Sequence, residues 1–220
     1  MAIARVAGSA VTGTNGGGST THTLACNVGA GSNRGLLVGV WSVGNGLVTG
    51  VTYAGVSMTL KDTIKSAGNI ETETIWYLDN PTSGSNNIVV TASANSEIFT
   101  KGIAYTFDDA GDHVESTATA YTASTPITTA PTPTASGCWV VSFCGGQRYA
   151  TASTGLTAQA GNGSQGTVAD SNGTVTAGAS YTNSFTVASP VRQLMATAVI
   201  KPTAGGGAIP SRLMMMGVGQ

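Results

Sequence analysis

Apolar side chains recur at every second position through much of the chain, and that period of two predicts strands rather than helices. In segment 98–108, Phe99, Ile103, Tyr105 and Phe107 fall on one face. In 70–79, Ile75 and Tyr77 share one face while Trp76 and Leu78 share the other. In 137–145, Trp139, Val141 and Phe143 oppose Cys138, Val140 and Cys144. In 34–43, Leu36, Val38 and Val40 oppose Leu37 and Trp41. The pattern predicts strands near 3–12, 19–28, 34–43, 47–54, 56–63, 70–79, 86–94, 98–108, 114–121, 137–145, 180–188 and 191–201. No segment carries a helical stripe.

Between these runs lie turn signals: Gly16-Gly17-Gly18, Asn45-Gly46, Asn80-Pro81, Ser83-Gly84, Asn162-Gly163 and Asn172-Gly173. Short strands punctuated this way predict an all-β, antiparallel β-sandwich or jelly-roll-like fold. Strands apolar on both faces imply a central position or a second buried surface such as a subunit interface. Pro126, Pro131 and Pro133 keep 122–136 from pairing as a central strand, so it reads as an extended connection or edge. The stretch 150–180 is small and polar and reads as hairpins with long loops. The sandwich is expected over residues 1–202. Residues 203–220 follow as a Gly-rich linker, Gly205-Gly206-Gly207, and an apolar C-terminal tail carrying Ile209, Leu213, Met214, Met215, Met216 and Val218. These six are expected to bind a partner chain, because Met and Leu left in water gain by docking.

Composition narrows the function. Only 9% of the 220 residues are charged, against a usual ~25%. Net charge is −1, and the nine basic residues are scattered. A phosphate-binding surface needs them clustered, so nucleic acid is not an expected partner. No apolar run reaches the length of a membrane helix, and the start lacks the features of a signal peptide. Cytosolic synthesis is expected, with Cys26, Cys138 and Cys144 reduced and buried. A straight strand also separates Cys138 and Cys144 too far for a disulfide.

Candidate chemistry is sparse. Asp108, Asp109 and Asp112 crowd a Gly-containing turn and are the weak candidates for a metal site, although their spacing fits no standard calcium loop. Glu71 and Glu73 share a strand face at a separation a glycosidase pair tolerates, but no subsite surrounds them, and an exposed strand face is the expectation. His22 is expected on a strand surface. Trp41, Trp76 and Tyr53 suit either a sugar platform or the core. No nucleophile elbow, zinc-ligand spacing or phosphate loop occurs. No cofactor and no enzymatic activity are expected.

Residues 34–94 resemble a β-sandwich domain recurrent in tailed-bacteriophage virion structural proteins and some bacterial surface proteins. The likeness rests on Leu36–Val40, Val51–Gly55, Met58–Leu60, Trp76–Pro81 with Gly84, and Ile88–Thr91, closed by Leu194–Pro202. It implies a virion location and a role through protein–protein contacts, as a head decoration or cement protein or a tail component. Its partners would be other virion proteins, capsid or tail, together with further copies of itself. The alternative it leaves open is a module of a fibre or surface protein that binds host glycan.

Overall fold

The computed structural model describes residues 3–44, 46–147, 150–162, 166–187 and 191–202. The first half of the chain forms β1 (Ala4–Arg5), β2 (Val11–Thr14), β3 (Ser19–Asn27), β4 (Arg34–Val43), β5 (Val48–Tyr53), β6 (Val56–Ser57), β7 (Thr59–Lys65), β8 (Glu71–Asp79) and β9 (Ser85–Thr106). The second half forms β10 (Val114–Thr122), β11 (Ile127–Thr129), β12 (Trp139–Gly146), β13 (Thr151–Ala152), β14 (Thr157–Asn162), β15 (Gly166–Asp170), β16 (Asn183–Thr186) and β17 (Gln193–Ile200). A 3-10 turn at Ala67–Asn69 lies between β7 and β8. The fold is an all-β, antiparallel sandwich, and among the described residues no helix is long and apolar enough to cross a membrane.

β9 organises the stack. Its first half pairs with β3 and β5, and its second half with β4 and with β1 and β2. The segments predicted at 86–94 and 98–108 are therefore one strand of 22 residues. Ile88 and Val90 from its first half pack with Leu36, Val38, Val40 and Trp76, so the β3–β9–β5–β6 portion lies over one face of β4 and β8. The other face of β4, β8 and the second half of β9 meets a five-stranded sheet, β10-β17-β12-β15-β14, through Leu37, Ile75, Tyr77, Ile103 and Tyr105 against Val141, Phe143, Val168 and Ala196. A small sheet, β11-β16-β13, covers that sheet's outer side, with Ile127 and Phe185 against Cys144, Ala169 and Met195. The two-sided strands β4, β8 and β12 are central because the chain supplies both of their covers. The sequence left that burial open between a central position and a subunit interface.

Close approach of the sheets depends on missing side chains. A Cβ on Gly39 of β4 would overlap the Phe143 ring of β12. At the β5–β6 hairpin, Ala54 and Gly55 both have positive φ, 50° and 81°, the geometry that two-residue hairpins require. The predicted strand 3–12 resolves into β1 and β2, and 180–188 shrinks to β16. The proline-rich stretch contributes only β11, an edge strand as its composition dictates.

Candidate functional site

β8 carries two kinds of polar side chain on opposite faces. Glu71 and Glu73 project with Ile75 and Tyr77 toward the five-stranded sheet, and Thr72 and Thr74 project with Trp76 to the other side. The expected exposed strand face at Glu71 and Glu73 is corrected: both carboxylates are buried, at 0% exposure. β8 lies between β4 and β7, and its carboxylate face is roofed by β12 and β17, which no local pattern in 70–79 foretells.

Each carboxylate has a cation. Lys101 of β9, itself fully buried, donates from Nζ to Glu73 Oε2 at 2.6 Å and to the Cys144 carbonyl at 3.4 Å. Arg192 Nε donates to Glu71 Oε1 at 3.1 Å, and Gln147 Nε2 donates to the same oxygen at 3.2 Å. Burial pushes the Glu73 carboxyl up to about 7 against the pull of Lys101. Burial likewise raises Glu71, opposed by Arg192 and Gln147. Among the described residues, Glu71 Oε2 and Glu73 Oε1 have no hydrogen-bond partner. The room for Glu73 comes from Gly145 of β12, where a Cβ would overlap both the carboxylate and the Trp41 side chain. A pair that cleaves a glycosidic bond must face the sugar from both sides. These two face packed protein.

The second ionic centre, at Asp170, ends a strand of the small, polar stretch that the sequence reads as hairpins with long loops. Arg5 Nη1 reaches both carboxylate oxygens of this buried residue at 3.2 and 3.0 Å. Tyr105 Oη donates at 2.8 Å, Gln159 Nε2 at 2.8 Å and the Asn172 amide at 3.0 Å. It ties β1, β9, β14 and β15 together. Among these ionic residues, Lys101 had a readable signal, since it stands in register with Phe99 and Ile103 on an inward face. Asp170, buried, and Arg192, partly exposed, had none.

The Thr72 and Thr74 side of β8 opens instead into a cavity of about 200 Å³, lined by Leu47, Val48, Thr63, Lys65, Thr72 and Thr74. Thr63 pairs across strands with Thr74, and Lys65 with Thr72, which sets three hydroxyls and one ammonium in a patch. Thr72 and Thr74 are buried at its floor, while Thr63, Lys65 and Leu47 are exposed around it. The opposite wall is fixed by close contact: a Cβ on Gly46 would overlap the Ala94 carbonyl and the Ser96 hydroxyl. Leu47 exchanges hydrogen bonds with Ser93, its amide donating to Oγ at 3.0 Å and its carbonyl accepting from the amide at 2.9 Å.

The remaining candidates are placed as follows. Trp41, Trp76 and Tyr53 are buried, which is the core reading of the two offered. His22 is corrected from a surface to a buried residue: its Nδ1 lies 2.7 Å from the Thr100 hydroxyl, and burial lowers its pKa. Cys26, Cys138 and Cys144 are buried free thiols pushed up to about 12 by burial, far from a nucleophile's range. Asp112 pairs with Lys61 and accepts from the Val114 amide. Asp108 accepts at its backbone carbonyl from Asn33, and the Asp109 carbonyl lies 3.1 Å from His113 Nε2. The turn thus works through both its backbone and the Asp112 carboxylate. Among the described residues no three His, Cys, Asp or Glu side chains gather as metal ligands. Ile209, Leu213, Met214, Met215, Met216 and Val218 lie outside the described residues. Compared with family models, curated proteins and solved structures, the chain finds no match in any of the three.

Proposed function

We propose that this chain is a non-enzymatic structural protein of a tailed-bacteriophage particle, a head decoration or cement protein or a tail component, acting through protein–protein contacts. The observation that carries the reading is how the reactive side chains are used. Glu71, Glu73, Lys101, Asp170, Arg5 and His22 brace strands and sheets against one another instead of facing the cavity. Many of the residues behind the virion resemblance also pack together. Leu36, Val38, Val40, Val51, Tyr53, Met58, Trp76, Ile88 and Val90 all meet in a single core.

The stacked layers cover most of each other's apolar faces, leaving Leu47, Val56, Leu60 and Ile70 exposed, and the anchor for assembly in this reading is the apolar tail, Ile209, Leu213, Met214, Met215, Met216 and Val218. Burying three or four such side chains offers roughly 1.5–3 kcal/mol each, less the entropy of ordering them. Repetition around a symmetric particle multiplies the effect. Deleting residues 205–220 tests this. The truncated chain should melt within a few degrees of the full chain, yet lose self-association by light scattering and co-sedimentation with particles. Retained assembly after the deletion would refute the tail as anchor, and loss of folding would assign the tail to the chain's own core.

A further inference from the structure

We propose that the cavity between β5, β7 and β8 is a binding site for one carboxylate-bearing pyranose, a uronic-acid-type residue of a surface polysaccharide. Three features of the lining select this class together. The floor is rich in acceptors: the Thr74 hydroxyl donates to the Val40 carbonyl at 3.3 Å and accepts from Trp76 Nε1 at 2.9 Å, which leaves it one further acceptor lone pair in a residue that lines the cavity. Thr72 shares one hydrogen bond with the Ser42 hydroxyl at 2.7 Å and keeps further capacity, as does the exposed Thr63. A ligand with several O–H donors on one ring matches this floor. Leu47 and Val48 form an apolar wall against which the C–H face of a sugar ring can rest. Lys65 stands at the exposed side and makes no salt bridge among the described residues, so it selects an anionic substituent.

Size and chemistry sharpen the choice. A volume of about 200 Å³ is below the usual range for drug-sized ligands and fits one ring rather than an oligosaccharide. The walls are set before any ligand arrives, because Gly46 and Leu47 are held against Ser93 and Ser96. Glu71 and Glu73 point to the opposite face of β8, and the described lining offers a bound sugar no carboxylate that could protonate or attack it. The site binds and does not cleave. It also moves the glycan contact away from Trp41, Trp76 and Tyr53, and it stands whether or not the tail anchors an assembly.

The test is amide NMR on the full-length chain titrated separately with glucuronate, glucose and acetate, repeated on K65M. Glucuronate should shift the amides of Leu47, Thr63, Lys65, Thr72 and Thr74 saturably in the millimolar range. Glucose should bind the same amides about two- to five-fold more weakly, the margin an exposed ion pair supplies. K65M should bring glucuronate down to the glucose level without altering the spectrum elsewhere. Acetate should leave these amides unmoved. The proposal is overturned if glucuronate shifts nothing or shifts another surface, if glucose matches it on the unaltered chain, or if acetate alone reproduces the effect.

Discussion

Two buried carboxylates in this molecule solve the same problem differently. Asp170 receives Arg5, Tyr105, Gln159 and a backbone amide, and the Arg5 side chain remains 28% exposed. Glu73 receives only Lys101, both side chains are at 0% exposure, and one carboxylate oxygen has no partner among the described residues. A buried ion pair recovers its desolvation cost only when the remaining lone pairs are satisfied. Asp170 meets that condition and Glu73 does not. Asp170 therefore acts as a stabilising hub, whereas Glu73–Lys101 adds little net stability yet is costly to break on one side.

The sharpest way to break this contrast is K101M. It leaves Glu73 buried without its cation and should cost about 3–5 kcal/mol in urea unfolding at pH 8. The double variant K101M/E73M should recover most of that loss, because replacing both charges with apolar side chains of similar size is often neutral or better. If the double variant is as unstable as the single one, the pair contributes more than assigned here. Next in size is D170A, which strips hydrogen bonds to a charged group and leaves the buried Tyr105 hydroxyl without its acceptor. A loss of about 2–3 kcal/mol is expected, read as a lowered thermal midpoint.

The pH dependence should separate the two centres with a smaller effect. The Glu73 carboxyl rises from its ordinary 4.5 to about 7 in the folded protein. Between those values the folded state holds the proton more tightly than the unfolded chain. The stability tied to Glu73 is thus fully present below about pH 4.5 and is lost as pH rises toward 7. Relative to E73Q, the unaltered protein should lose about 1–3 kcal/mol across that window, measured by denaturant unfolding at several pH values. A flat difference curve would show that Lys101 already compensates the burial. The smallest effect belongs to the other lysine on these sheets. K65M removes an exposed charge and should change stability by no more than about 0.5 kcal/mol, in contrast with K101M.

The legible part of the structure was local. The alternation around Phe99, Ile75, Leu36 and Val141 set which side chains share a face, and Asn80-Pro81 with Ser83-Gly84 marked a turn. Glu71 and Glu73 mark where local reading ended. Two charges on one strand face ordinarily signal solvent, and only the arrival of β12 and β17 overhead reverses that. The Thr63, Lys65, Thr72 and Thr74 patch was equally invisible, because Thr is a common strand residue and its cavity exists only where Leu47 is held away by Ser93.

By itself, then, the sequence determined the fold class, the strand faces and many of the turns. These follow from a period of two and from backbone preferences that act over a few residues. Only the tertiary structure decided which faces meet, that both faces of β4 and β8 are covered from within the chain, and that Lys101 and Arg192 reach the carboxylates of β8. Those contacts join residues 28 and 121 positions apart. Parity along a strand says which way a side chain points, but not what another part of the chain will place in front of it.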